Sequence, residues 1–248
     1  MRTLVVVPTF QEVENIADVL TQLRAAVPDA GILVVDDASP DGTADAAAAA
    51  GRELGAVDLL RRPAKTGLGS AYRAGFGWGL ERGAEVLVEI DADLSHDPSV
   101  LPELLAAVEE GADLAIGSRY VPGGSVPGWP TSRRLLSQWG NRYVGAMLDL
   151  GVADATAGYR AYRSQCLRQV DLSGVRADGY GFQIEMTYEI HRLGGVIVER
   201  PITFRDRARG TSKMSGSIVF EALGLVTLWG IRDRLLSLRG RPGRRRRR

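Results

Sequence analysis

Along the first half of the chain, short apolar runs of strand length alternate with stretches of helical periodicity. Residues 4–7, 32–35, 59–60, 86–90 and 114–116 read as strands. Between them, Ile16, Val19, Leu20, Leu23 and Val27 recur at helical spacing behind Asn15 as a candidate N-cap. Thr43 is placed to cap an alanine-rich second helix, and residues 69–82 form a third. Asp97-Pro98 starts a fourth that uses Leu101, Leu104, Leu105 and Val108. A chain alternating in this way builds an α/β fold, a mostly parallel sheet with helices on both faces. Parallel neighbours need a crossover, and here each crossover is a helix. In such sheets ligands sit beyond the carboxyl ends of the strands. Four polar clusters fall at those ends: residues 8–12, residues 36–43, Asp91-Ala92-Asp93, and Gly117-Ser118-Arg119.

Asp91 and Asp93 follow the apolar run 86–90. Side chains two apart on an extended chain point to the same side, so both carboxylates are expected to face one spot. Two hard oxygen donors with coordination positions left over suit Mg²⁺ or Mn²⁺ shared with phosphate oxygens. Alone, an Asp-x-Asp is more readily a polar turn. Its place among three other polar clusters at strand ends favours the metal and points to chemistry on a nucleotide diphosphate.

The second half is less regular. Residues 121–130 are rich in glycine and proline and read as a loop. Residues 133–150 and 182–193 look helical, 196–204 extended with a break at Pro201, and 205–215 a polar, basic loop. A helix over 218–238 carries Ile218, Leu225, Leu228, Trp229 and Leu235, and is expected to be amphipathic, either lying at a membrane interface or packing on the domain's own core. The arginine-rich residues 239–248 are of low complexity and expected to be disordered. The expected organisation is a domain over 1–217, the helix, and the tail.

With 248 residues the chain is long enough for one large α/β domain. Its single cysteine, Cys166, excludes an intrachain disulfide and fits a reducing, cytoplasmic setting. The first apolar run is too short for a secretory signal, and no stretch approaches the roughly 20 apolar residues that span a bilayer. The formal charge of +1 conceals an asymmetry. Seven arginines and no acid lie in 239–248, leaving 24 basic against 30 acidic residues in 1–238, about −6. An acidic body argues against general nucleic-acid binding. The cationic tail is free to meet anionic lipid, RNA or nothing.

Taken together, the motifs resemble the inverting family 2 glycosyltransferases of the GT-A (Rossmann-like) fold, and among them the dolichol-phosphate (polyprenol-phosphate) mannosyltransferases. The resemblance rests on Pro8-Thr9-Phe10-Gln11-Glu12, on the run from Asp36 to Thr43, and on Lys65-x-Gly67-Leu68-Gly69. It continues through Asp91-Ala92-Asp93-Leu94-Ser95-His96, Gly117-Ser118-Arg119-Tyr120, Ser132-Arg133-Arg134 and Asp154-x-Thr156-x-Gly158-Tyr159-Arg160. Gly179 to Met186 and the loop from Arg207 to Lys213 complete it, so that residues 3–215 are covered in family order and spacing. Phe10, Gln11 and Ser95 depart from the family's tyrosine, asparagine and glutamine.

The resemblance implies transfer of mannose from GDP-mannose to a polyprenyl phosphate, with inversion and release of GDP. It implies a nucleotide-sugar pocket of Pro8, Phe10, Glu12, Val35, Asp37, Lys65, Asp91, Ala92 and Asp93. Mg²⁺ or Mn²⁺ would sit on Asp91 and Asp93, with Ser95 the weakest candidate ligand. Arg119, Arg133, Arg207 and Lys213 are the candidate phosphate binders. Asp93, Arg119, Arg133 and Glu185 are the candidate catalytic residues, Glu185 equally readable as a structural acid. A phosphate monoester is largely dianionic at neutral pH, so the acceptor needs no general base and instead needs positive charge to hold it. A lipid acceptor implies a peripheral enzyme at the inner face of the cell membrane, with room for a separate integral membrane partner. Three other readings stay open. One is a UDP-glucose-dependent polyprenyl-phosphate glucosyltransferase. Another is a nucleotidyltransferase, which leaves the segments 154–160 and 207–213 without a reason. The last is a sugar-nucleotide-binding module without turnover.

Overall fold

A computed structural model describes residues 1–206 and 216–238; side chains of 216–221 and 237–238 are outside that description. Seven strands form one mixed sheet in the order β3-β2-β1-β4-β6-β5-β7. The strands are β1 (Thr3–Thr9), β2 (Gly31–Asp36), β3 (Val57–Arg61), β4 (Val86–Glu89), β5 (Leu114–Ser118), β6 (Arg160–Arg163) and β7 (Ile197–Pro201). All neighbouring pairs are parallel except those made by β6, which runs antiparallel between β4 and β5. The helices are α1 (Ile16–Ala26), α2 (Thr43–Leu54), α3 (Leu68–Glu81), α4 (Leu101–Glu109), α5 (Thr131–Leu148), α6 (Ser164–Leu167), α7 (Tyr180–Arg192) and α8 (Gly216–Leu238). The expected α/β architecture, a mostly parallel sheet flanked by helices, is thus present.

The two-residue period of the strands divides the core. Val5, Val7, Ile32 and Val34 pack with α1, α2 and α4 on one face, while Leu4, Val6, Leu33 and Val35 pack under α3 and α7 on the other. α3 can approach closely because Gly75 and Gly79, one turn apart, face the sheet. A β-carbon on them would come within 2.4 Å of Val6 and 2.6 Å of Leu4. A third cluster joins α5, α7 and α8 through Val144, Leu148, Ile184, Tyr188, Ala222 and Val226. α8 bears apolar side chains on both its packed and its exposed sides, Leu228, Ile231 and Leu235 facing outward. Cys166 is buried in the second cluster, and burial pushes its thiol up to about 11, which leaves it inert.

Two local expectations change. Asp97 does cap the next turn, accepting from Ser99 N at 2.9 Å. Thr43, however, is the first residue of α2 rather than its cap. Its hydroxyl donates to Asp41 at 2.6 Å and accepts Glu12 N at 2.9 Å, tying the β2–α2 turn to the loop after β1. Asn15 sits at the cap position of α1 without a capping bond, its amide donating to Glu12 at 2.9 Å.

Candidate active site

The carboxyl ends of β1, β2, β4 and β5 surround a cavity of ≈ 570 Å³. Because β6 is antiparallel, the residues preceding it, Thr156, Ala157 and Gly158, arrive at this same edge and complete the wall. The N-terminal end of α7 closes the other side with Asp178, Gly179, Tyr180 and Gln183.

Of the nucleotide-sugar residues expected from sequence, Pro8, Phe10, Glu12, Asp37, Lys65, Asp91, Ala92 and Asp93 all line this cavity. Val35 does not. It is fully buried in the core under α3, because the strand's alternation turns it away from the mouth. Asp37 is also buried. It accepts from Arg62 at 2.8 Å and from Thr66 N at 3.3 Å, and burial raises its pKa despite the neighbouring guanidinium. Arg62, absent from the sequence-based set, binds Ser70 at 2.7 Å and Thr66 as well, so it ties the loop before α3 to β2. The Lys65 ammonium lies 4.2 Å from the centre of the Phe10 ring, a cation–π pair that forms one side of the cleft.

Asp91 and Asp93 both reach the cavity, but not from an extended strand. β4 ends at Glu89, and Asp93 lies in a turn that places Leu94 at φ +61°. Ser95 donates its hydroxyl to Asp93, and its N–H does so at 3.0 Å. Its place is therefore beside the carboxylate it orients. Asp91 accepts from Tyr72 at 3.3 Å and has His96 Nε2 at 3.7 Å from its other oxygen. Among the described residues, no three His, Cys, Asp or Glu side chains gather as a closed metal cage. Two carboxylates facing an open cavity fit a Mg²⁺-like ion, which keeps positions for phosphate and water.

Arg119 lines the cavity but is only 5% exposed, and Asp154 holds it. Its Nε and Nη2 donate to the two Asp154 oxygens at 2.7 Å each, and Nη2 reaches Thr156 at 2.7 Å. Burial works against both charges. The bidentate pairing outweighs it, so Arg119 stays charged and Asp154 is held below the usual carboxylate range. A local pair without net charge is a weaker phosphate clamp than a lone arginine, leaving Nη1, which carries none of these bonds, as its remaining edge. Arg133, on the first turn of α5, also lines the cavity. It donates to Asp206 at 3.0 and 3.2 Å and lies 3.8 Å over Trp129. Arg207 and Lys213 lie outside the described residues.

Glu185 does not line the cavity. One oxygen accepts the backbone N–H groups of Arg176 and Ala177 at 3.1 and 3.0 Å, so the acid braces the segment before α7. That segment presents Asp178, which accepts Gly69 N at 2.6 Å at the start of α3. Gly67, at φ +104°, permits this approach. A β-carbon there would fall 1.8 Å from Asp178 Oδ2. Gly67→Ala is therefore expected to dislodge Asp178 and cost about 1–3 kcal/mol; a melting temperature within 1 °C of wild type would contradict this.

Beneath the site lies a buried polar layer that sequence reading missed. Arg160 is fully buried and donates to Ala155 O, Ala157 O, Gln183 O and Thr187, all at 2.6–3.0 Å. Glu89, also fully buried, accepts from Tyr162 at 2.9 Å, and burial raises its pKa to about 7 despite the charge of Arg160. In the native state it binds a proton that the unfolded chain releases near 4.5. The native state thus holds more protons between about pH 4.5 and 7, and stability falls as pH rises through that window, by roughly 3 kcal/mol. Glu89→Gln should remove this slope. The difference in melting temperature between variant and wild type should grow from pH 5 to pH 8; a constant difference would contradict the assignment.

The comparisons with known proteins meet this geometry. The family model for glycosyl transferase family 2 matches residues 4–171. The chain belongs to glycosyl transferase family 2. It is 55% identical over 243 residues to an undecaprenyl-phosphate mannosyltransferase of Micrococcus luteus, covering 98% of this chain and 100% of that one. It is 52% identical over 242 residues to a polyprenol monophosphomannose synthase of Mycolicibacterium smegmatis, covering 96% and 91%. Among solved structures, glucosyl-3-phosphoglycerate synthase of Mycobacterium tuberculosis in complex with UDP superposes with a TM-score of 0.68 at 20% identity, over 92% of this chain and 80% of that one. At that identity the likeness speaks for the fold, which is that of GT-A-like glycosyltransferases.

Proposed function

We propose that this glycosyltransferase moves mannose from GDP-mannose to a polyprenyl monophosphate, with inversion at the anomeric carbon and GDP as leaving group. The observation that carries the reading is one cavity where Asp91 and Asp93, Lys65 and the rim arginine Arg133 meet beside an exposed apolar helix face. The near-full-length likeness to the two mannosyl-transferring relatives supports mannose and a polyprenyl phosphate.

In this reading Phe10, Lys65 and the Asp37–Arg62 pair form the nucleoside side of the cleft. Asp91 and Asp93 would hold a divalent cation, Mg²⁺ or Mn²⁺, which when bound supplies Lewis-acid neutralisation of the leaving diphosphate. The acceptor phosphate oxygen forms the new bond to the anomeric carbon as the bond to the β-phosphate oxygen breaks. Near neutral pH the acceptor already carries its attacking electron pair, so the protein's task is to hold it in line. Arg133 is placed for this once a phosphate replaces Asp206 as its partner, and Arg207 and Lys213 are proposed to join it.

A bilayer surface is the proposed source of the acceptor. Beyond Arg133, α5 exposes Leu135 (56%), Leu136 (64%) and Trp139 (54%), which places apolar surface next to the cavity mouth. No helix among the described residues is long and apolar enough to cross a membrane, and a peripheral position at the inner face of the cell membrane suits this arrangement. The test is incubation with radiolabelled GDP-mannose or UDP-glucose and a short polyprenyl phosphate, with and without chelator. Chelator-sensitive label in the organic extract from GDP-mannose is expected. Label from UDP-glucose alone, or donor binding with no transfer, would overturn the reading.

A further inference from the structure

Gln183 sits on the first turn of α7 with its side chain 2% exposed at the cavity wall. Its backbone oxygen is fixed by Arg160 Nη1 at 2.8 Å and by the Thr187 hydroxyl at 2.8 Å. Neither atom of its side-chain amide meets a partner at full hydrogen-bond geometry among the described residues, and only a looser contact runs to Glu89 behind it. Buried amides are almost always fully paired, so an amide left without a well-formed hydrogen bond at a cavity wall is poised for a ligand. His96 lines the same cavity, is 3% exposed, and has its Nδ1 in the same condition.

The space in front of the amide is made by a missing side chain. A β-carbon on Gly158 would lie 3.6 Å from Gln183 Nε2 and 3.7 Å from Asp91 Oδ2, ordinary contact distances. Gly158 therefore leaves a niche about one heavy atom deep between an amide and a carboxylate. A phosphate oxygen is a poor occupant, because Asp91 repels it and it has no proton to give. A hydroxyl fits, since it donates to the carboxylate and can either donate to or accept from the amide. Which amide atom faces the niche then does not matter.

Resting on the hexosyl-transfer reading above, we propose that Gln183, Gly158 and Asp91 form the subsite that reads a ring hydroxyl of the transferred hexose, with Gln183 as a specificity-determining residue. A sugar lacking that hydroxyl leaves the amide and the carboxylate unpaired, which is how a buried polar site rejects a deoxy analogue. Glu89 lies behind the amide, and a loose hydrogen-bonding contact from Gln183 helps to hold its pKa down, so Glu89 offers the competing use for Gln183 as part of the buried layer.

The experiment compares wild type, Gln183→Met and Gly158→Ala. Methionine keeps the length and removes both polar atoms; the alanine methyl fills the niche at a glycine that needs no left-handed backbone. Calorimetric titration with GDP-mannose, its singly deoxygenated mannose analogues and GDP reads the niche without needing transfer. Both variants should bind GDP within about twofold of wild type and bind GDP-mannose about 10- to 100-fold more weakly. For one deoxy analogue, wild type and variants should bind alike, identifying the hydroxyl. Parallel weakening of GDP and GDP-mannose, or the same penalty for every deoxy analogue, would overturn the subsite and assign the amide to the Glu89 layer. If wild type binds these donors yet transfers no sugar to polyprenyl phosphate, the functional reading fails while the niche is still judged by titration.

Discussion

Asp93→Ala is expected to lower turnover by roughly three orders of magnitude while leaving the protein folded. The carboxylate is 5% exposed and held by both the hydroxyl and the N–H of Ser95, so its position is set before any ligand arrives. A pre-set carboxylate contributes to the transition state without reorganising, and in the proposed reading its removal takes away half of the protein's hold on a divalent cation. The melting temperature should change little, because the bonds lost are local to one turn. Ser95→Ala should be milder, about tenfold in turnover, since it removes an orienting contact and leaves the donor oxygen itself. Near-normal transfer by Asp93→Ala in added Mg²⁺ would remove the metal role from this residue.

Asp154→Ala is expected to have the largest effect on stability. It strips the partner from a guanidinium buried among Tyr120, Trp129 and Phe204, whose ring centres lie 5.2–5.7 Å away. Side-chain exposures of 4% for Arg119 and 0% for Asp154 leave water little access to compensate. Breaking such a pair costs about 3–5 kcal/mol. For a chain of this size that is a fall of roughly 6–20 °C in melting temperature. Asp154→Asn, which keeps an acceptor and loses the charge, should fall between. A drop below 2 °C for the alanine variant would mean that Arg119 finds another partner, and the cavity wall would need redrawing. In the proposed reading the same pair bears on function, because an unpaired Arg119 would bring new positive charge to the phosphates bound in the cavity.

Much of this was legible along the chain because parallel α/β folds write themselves locally. β1, β2, β4 and β5 announce themselves as buried apolar runs, and their polar followers sit where the sheet must end. β6 was not legible. Arg160 and Arg163 bound a four-residue strand and look like loop charges. Nothing local reveals that the carbonyls of Ala155, Ala157 and Gln183 fold back around Arg160 and make its burial tolerable. The same non-local wrapping hid the Arg119–Asp154 pair, whose partners are 35 residues apart. Val35 and Glu185 show the limit at single-residue scale. Motif position brings a residue near a site, but the strand's alternation buries Val35, and the helix turns Glu185 toward backbone amides. Gln183 lies inside the Gly179–Met186 motif, yet only the folded chain reveals an amide without a well-formed hydrogen bond.

The central claim is that Asp91 and Asp93 share one divalent cation facing the donor diphosphate. Crystals grown with Mn²⁺ and GDP, measured for anomalous scattering, test it most directly. A single peak within coordination distance of an oxygen from each carboxylate and of a GDP phosphate oxygen is the expected result. GDP bound in the cavity with no such peak, or with Mn²⁺ held elsewhere, would contradict it.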